Sequence, residues 1–287
     1  MLAYIKLLRP YQWIKNLFVF TGILFSHRWG EAGLWYQVML AAAAFSLVSS
    51  GIYALNDIAD REQDRVHPRK CRRPVASGAI SVPMAWMVGL GVLAIGLALA
   101  AWVSPMAFGL IALYAVLNGA YSVSLKHVVV LDIFIIAAGF MLRILVGTLG
   151  LDIQPSRWLL LCGFMVTLFL GAAKRRAELM DAPTDGAERR KVLEHYSPAL
   201  LDLILGVTAT ASILTYGLYT MSADTIALQG TADLIYTLPL VIYGLFRYLY
   251  LLFASGSGGD PSIDLIRDPH LLITLLLWCG VTFWLVR

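Results

Sequence analysis

The sequence predicts an all-α, polytopic integral membrane protein, and three observations carry that prediction. Of the 287 residues, 59% are apolar and only 14% are charged, against roughly half and a quarter in a soluble domain. Apolar stretches near the ~20 residues that a helix needs to cross ~30 Å of hydrocarbon recur along the chain to its C-terminus. Basic residues collect in alternate connections between these stretches.

Nine candidate spans lie near 12–27, 35–56, 83–103, 105–123, 128–149, 157–174, 198–220, 231–253 and 269–286. The first is short, with Lys6, Arg9 and Lys15 before and within it, and reads as a retained span rather than a signal peptide because apolar segments continue beyond it. Pro105 and Pro155 fall in tight connections, where a missing N–H costs least. Trp13, Trp29, Trp35, Trp102, Trp158 and Trp284 mark span ends, as an aromatic belt would. No repeat and no soluble domain interrupts the series, so residues 1–287 read as a single transmembrane domain, a helical bundle. The three cysteines (Cys71, Cys162 and Cys279) form no CxxC or Cys/His pattern and support neither disulfides nor zinc. The net charge of +4 is modest and the basic residues cluster in loops, which points to membrane orientation and phosphate ligands more than to nucleic acid.

Orientation follows from the charges. One set of connections holds Lys6, Arg9 and Lys15, then Arg61 to Arg73, then Lys126, Lys174 to Arg176, Arg189 to Lys191, and Arg267. The other side holds only Arg28, Arg157 and Arg287. By the positive-inside rule the N-terminus is cytoplasmic, and nine spans place the C-terminus outside.

The most informative stretch ends the second candidate span: Asn56-Asp57-Ile58-Ala59-Asp60-Arg61-Glu62-Gln63-Asp64. At 100° per residue, Asp57, Asp60 and Asp64 fall within about 60° on one helical face. Three carboxylates so placed repel, and burying them is costly without cations. Oxygen-only ligands suit a hard ion, Mg²⁺ before Ca²⁺, and Mg²⁺ keeps open positions for substrate phosphate oxygens. His67-Pro68 should stop the helix. Arg69, Lys70, Arg72 and Arg73 then line a loop closed by Pro74 and Ser77-Gly78, with guanidinium forks suited to phosphate. A second polar set, Asn118, Ser122 and Lys126, shares one face at the end of the fourth span, beside Tyr121. Asp132 opens the fifth span, and Arg143 lies about 16 Å further along it. A cation that deep is expensive and marks a functional candidate, or else a structural partner of a buried carboxylate or carbonyl.

NDxxDxxxD followed by RPxxSG, within nine spans, resembles the UbiA superfamily of intramembrane transferases over nearly the whole chain. That resemblance implies a UbiA-like bundle and assigns Asn56, Asp57, Asp60 and Asp64 to Mg²⁺ on a diphosphate. Aromatic prenyltransferases of the family carry a second Asp-rich motif after the sixth span. Here the corresponding stretch is Lys174-Arg175-Arg176-Ala177-Glu178-Leu179, and Asp181 and Asp185 lack aspartate companions. These cations either meet additional phosphate or complement a helix C-terminus.

The opening Leu8-Arg9-Pro10-Tyr11-Gln12-Trp13-Ile14-Lys15-Asn16, with HPxKxxRPxASG, YSxxLK and KRxxEL, is similar to the branch that moves phosphoribose from phosphoribosyl diphosphate (PRPP) to decaprenyl-type polyprenyl phosphates. It implies substrate contacts from Lys15, Asn16, Arg65, Lys70, Arg73, Tyr121, Ser122, Lys126, Arg143, Lys174, Arg175 and Glu178, and a location in a bacterial inner membrane with the site cytoplasmic. The competing expectations are 4-hydroxybenzoate-type prenyl transfer, disfavoured by the missing second Asp motif, and secondary transport. A transporter would place paired sites near the midplane rather than acids at one face.

In a cysteine-free background, Lys70→Cys should react with an impermeant maleimide only from the cytoplasmic side, and Arg157→Cys only from the opposite side. Labelling of residue 70 in intact cells would defeat the topology and the site's location together.

Overall fold

The computed structural model describes residues 2–66, 68, 70–180, 191–254, 264–265 and 267–286. Within them the chain is helical throughout: α1 (Leu2–Leu8), α2 (Thr21–Phe25), α3 (Ala32–Ala59), α4 (Arg61–Val66), α5 (Val82–Val103), α6 (Pro105–Val123), α7 (Leu131–Gly147), α8 (Arg157–Met180), α9 (Pro198–Met221), α10 (Ala223–Gln229), α11 (Leu238–Ala254) and α12 (Pro269–Val286). The boundaries follow local chemistry. Ser104 closes α5 and caps α6, its Oγ accepting from the Ala107 N–H at 2.9 Å, with Pro105 at the first helical position. Ser197 and Ser222 cap α9 and α10 in the same way, and Gly230 ends α10 in the left-handed region at φ 69°.

Eight helices among the described residues are long and apolar enough to cross a membrane, one fewer than the nine spans expected. The difference lies in the first candidate, 12–27. Pro10–Phe20 is a 3-10 helix followed by the short α2. With about 2.0 Å per residue in the first part and 1.5 Å in the second, the segment is still about 30 Å long. An over-wound helix covers the hydrocarbon thickness with too few residues for a continuous α-helical span. The chain is a multi-pass, all-α membrane protein.

The described residues divide into two compact units, one of residues 1–135 and 142–154, the other of 136–141, 155–182 and 191–287 apart from those not described. In the first unit α3 is the central helix, and its Val38, Ala41, Ala44, Phe45 and Val48 are fully buried. Its contact with α5 is set by small residues. A Cβ on Gly51 would lie 2.8 Å from the Gly89 carbonyl oxygen, and one on Gly96 would lie 2.9 Å from that of Ala44. Membrane helices gain contact through such close backbone approach, since lipid removes the hydrophobic drive between them. The approach of the first segment to α7 is tighter still. A Cβ on Gly22 would meet the Gly147 carbonyl oxygen at 1.8 Å, and one on Gly147 would meet that of Val19 at 1.8 Å. In the second unit α8 packs along α9, and α11 packs on α12.

Gly147→Ala should therefore force the first segment away from α7 and lower the Tm in detergent by several degrees, since overpacking typically costs about 1–3 kcal/mol. Gly119→Ala on α6, where nothing lies within 4 Å, should leave Tm unchanged or raise it, because alanine is the better helix former by about 1 kcal/mol. Equal thermal shifts for the two variants would contradict this packing.

Candidate active site

The carboxylates sit where a membrane helix bends. α3 ends at Ala59, Asp60 follows with φ −89° and ψ 6°, and α4 begins at Arg61. The hydrogen-bond ladder continues across the break, from the Asp60 N–H to the Asn56 carbonyl at 2.9 Å and from the Asp64 N–H to the Asp60 carbonyl at 2.8 Å. The acidic run is thus a bent helix rather than the single straight face expected from 100° spacing. Asp57 and Asp64 are buried, whereas the Asp60 side chain is about one-third exposed. The helix stops at Val66, before the His67-Pro68 pair.

Each carboxylate has a cation. Arg9 donates from Nη2 to Asp57 Oδ1. Arg73 bridges the two buried acids, with Nη1 2.6 Å from Asp64 Oδ2 and 3.3 Å from Asp57 Oδ1. Lys126 Nζ lies 3.2 Å from Asp60 Oδ1. Three carboxylates and three cations leave the cluster formally neutral. Asp57 Oδ2 is buried with no hydrogen-bond partner, a costly arrangement for an ionised oxygen. No group of three His, Cys, Asp or Glu side chains among the described residues is drawn together around a common point.

The end of α6, expected only as a separate polar set, comes to this cluster through Ser122 and Lys126. Ser122 Oγ donates to Asn56 Oδ1 at 2.6 Å, and Lys126 stands in the 3-10 turn Leu125–His127. Asn118 instead donates to the Tyr114 carbonyl of its own helix. Tyr121 is half-buried on the same helix, and Lys70 is half-buried in the loop after α4. Arg65 turns away from the acids, with Nη1 3.1 Å from Glu62 and Nε 3.4 Å from the Ala76 carbonyl oxygen. His67, Arg69, Asp181, Asp185, Arg189 and Arg190 lie outside the described residues, as does the side chain of Lys191.

Arg143 and Asn16, named separately as candidates, are partners. Arg143 Nε donates to Asn16 Oδ1 at 2.8 Å, and Asn16 Nδ2 donates to Ser46 Oγ at 2.7 Å. The guanidinium lies over the Phe45 and Tyr114 rings at 4.6 and 4.9 Å, with Nη2 3.3 Å from the Tyr114 hydroxyl. This is a buried tie between the first segment, α3, α6 and α7, the structural alternative weighed for a deep arginine. Lys15, one residue earlier, is half-buried.

In the second unit the Lys174-Arg175-Arg176 run lies inside α8, which continues to Met180, and so belongs neither to a loop nor to a helix end. Arg175 is fully buried and pairs with Glu178 one turn on. Arg176 Nε donates to Asp202 at 2.6 Å and Nη1 to the Leu252 carbonyl at 3.1 Å, with its guanidinium over the Phe253 ring. Arg176 therefore ties α8 to α9 and α11. Lys174 is half-buried. Arg247 hydrogen-bonds Asp268 and holds its carboxyl below the usual carboxylate range, while Asp268 caps α12 through the Leu271 N–H.

The sequence reading missed Arg9 as part of the site. Its motif was noticed, but nothing in the residue order places it beside Asp57, 48 positions away. That proximity arises because α1 and the 3-10 segment pack on α3.

The family model of the UbiA prenyltransferase family matches residues 16–262. The chain belongs to the UbiA prenyltransferase family. It is accordingly a membrane-embedded transferase. A decaprenyl-phosphate phosphoribosyltransferase of Mycolicibacterium smegmatis is 36% identical over 96% of this chain and 90% of its own length. One of Corynebacterium glutamicum is 34% identical over 96% and 83%. The nodulation protein NoeC of Azorhizobium caulinodans is 35% identical over 98% and 93%. The structure of a UbiA homolog from Archaeoglobus fulgidus bound to GPP and Mg²⁺ covers 99% of both chains with a TM-score of 0.73 at 20% identity. It establishes the UbiA fold.

Arg73 offsets two buried carboxylates at once. Arg73→Ala should lower Tm markedly, because breaking a buried pair leaves charge uncompensated at a cost of roughly 3–5 kcal/mol, less where solvent reaches the arginine. The double variant Arg73→Ala/Asp64→Asn should recover part of that loss. Strictly additive Tm changes in the double-mutant cycle would refute the bridge.

Proposed function

We propose that the chain transfers 5-phosphoribose from PRPP to a decaprenyl-type polyprenyl phosphate, releasing diphosphate, at the cytoplasmic face of a bacterial inner membrane. The observation that carries this reading is the near-full-length likeness to relatives named for decaprenyl-phosphate phosphoribosyl transfer. The cations Lys174 and Arg175, where aromatic prenyltransferases have acids, support it. Residues 1–287 are read as one catalytic domain.

The donor set fits Mg²⁺. Asp57, Asp60 and Asp64, with Asn56, offer only oxygen and amide ligands, and the buried, unpartnered Asp57 Oδ2 is a donor already in place. When bound there, the ion would supply charge neutralisation for the departing diphosphate. The charge balance gives a reason for metal and anion to bind together. The acids and their three cations already cancel, so a divalent ion alone adds uncompensated charge, and a diphosphate restores balance.

The remaining steps fall to the protein's own residues. Arg73, Lys126 and Lys70 would orient the diphosphate of the donor, with Ser122 and Tyr121 beside them. Lys174 and Arg175, positioned by Glu178, would receive a further phosphate of donor or acceptor. Arg65 and Lys15 would contribute at the rim, and Asn16 and Arg143 would act through their buried tie. As the C1–O bond to diphosphate breaks, the ribose carbon becomes oxocarbenium-like and an oxygen of the lipid phosphate attacks it. A phosphate monoester is largely ionised near neutral pH, so no strong general base is required. Holding two anions together against their repulsion is the main task, and positioned cations perform it.

Purified protein in nanodiscs, given labelled PRPP, a polyprenyl phosphate and Mg²⁺, should form lipid-linked phosphoribose. Asp57→Asn, Asp60→Asn and Asp64→Asn should each lower the rate by about a hundredfold or more, the scale for losing a charge-stabilising group. Lys174→Ala and Arg175→Ala should raise the KM for PRPP by roughly ten- to a hundredfold, for one charge-assisted contact each. Prenylation of 4-hydroxybenzoate without any lipid-linked phosphoribose would overturn the donor assignment.

A further inference from the structure

We propose that Arg9 is the resident counter-ion of Asp57 and competes with the divalent ion for that carboxylate. The proposal rests on the metal reading above and adds a residue that acts before any substrate arrives. Four observations lead to it.

Arg9 pairs with Asp57 Oδ1, on the carboxylate whose other oxygen is buried and unpartnered. Its guanidinium also lies over the Tyr53 ring, 5.1 Å from the centroid, so the charge is held from two directions. Its backbone is left-handed, with φ 51° and ψ 56°, a conformation that L-residues other than glycine adopt only at a cost. Strain of this kind persists only where surrounding contacts enforce it. Here they do so on both sides of Arg9. The Ser50 hydroxyl donates to the Leu8 carbonyl at 2.7 Å and accepts from the Trp13 indole N–H at 2.9 Å.

The backbone at Arg9 is thus clamped to α3 by contacts that do not involve its side chain. A divalent ion on the free Oδ2 would stand beside the Arg9 guanidinium on Oδ1 and repel it, and the clamp lets the guanidinium leave without carrying the N-terminal segment with it. Arg73 is less suited to this role, because it is committed to Asp64 as well as Asp57. Until metal arrives, Arg9 offsets the charge of a buried carboxylate. The consequence is a specific sign. Removing Arg9 leaves the acid cluster net negative and should strengthen metal binding in the absence of substrate. A residue that only supports the fold would weaken binding when removed.

The test measures Mn²⁺ binding to the full chain in nanodiscs without donor, by the loss of the free-ion paramagnetic resonance signal. Arg9→Gln should bind about tenfold more tightly than the wild type, the scale of one charge-assisted contact, and Arg9→Lys should stay near the wild-type value. Tyr53→Leu, which removes the ring beneath the guanidinium and leaves every charge in place, should tighten binding by a smaller factor. It keeps the test open if Arg9→Gln fails to fold. Unchanged or weaker binding in folded Arg9→Gln or, where that variant fails to fold, in Tyr53→Leu overturns the proposal and leaves the metal site standing. Failure of the wild type and every variant to bind Mn²⁺, even with inorganic diphosphate present, overturns the metal reading and the proposal with it.

Discussion

Two carboxyl groups buried at the end of a membrane helix set the terms for the rest of this site. Taking a single carboxylate out of water costs several kcal/mol after relaxation, and Asp57 and Asp64 are both almost fully buried. Counter-ions must therefore come from the chain itself. They arrive from three directions: Arg9 before the first 3-10 segment, Arg73 in the loop after α4, and Lys126 after α6. Each comes from a different connection, so the acid cluster gathers the surrounding structure at one end of α3.

That gathering depends on helices meeting closely enough to place those connections. Hydrophobic collapse does not draw helices together in lipid, and here backbone proximity does so instead, through Gly51, Gly89 and Gly96 between α3 and α5 and through Gly22 and Gly147 at the first segment. The buried Arg143–Asn16–Ser46 tie fixes the same segment at a second level. A polar group inside hydrocarbon has few alternative partners, which makes such a tie specific in register. Its geometric consequence is that the segment carrying Arg9 lies along α3 with Arg9 beside Asp57.

Much of this was legible in the sequence. Apolar length located all eight long membrane helices, because a helix's requirement for about twenty apolar residues leaves a strong one-dimensional signal. The first segment was mistaken for an ordinary span because composition does not distinguish an α-helix from an over-wound 3-10 helix of similar length. The spacing of Asn56, Asp57, Asp60 and Asp64 marked the acid run, and the shared face of Ser122 and Lys126 marked a second polar set, but their meeting rests on a contact 66 residues apart in the chain. The bend at Asp60 was not visible, since even 100° spacing assumes a straight helix. Arg9 and the pairing of Arg143 with Asn16 were likewise hidden, because they rest on contacts 48 and 127 residues apart in the chain. Arg175 and Arg176 look alike in sequence. Only their surroundings separate a cation paired along its own helix from one that ties three helices together.

The carboxylates at the end of α3 are the proposed metal site. Anomalous scattering from crystals of the full chain grown in lipid with Mn²⁺ and diphosphate tests it directly. The account predicts a Mn²⁺ peak at Asp57 and Asp64, with the Arg9 guanidinium withdrawn from Asp57. A peak located away from these carboxylates, or Arg9 still paired with Asp57 beside a fully occupied Mn²⁺ site, would contradict it.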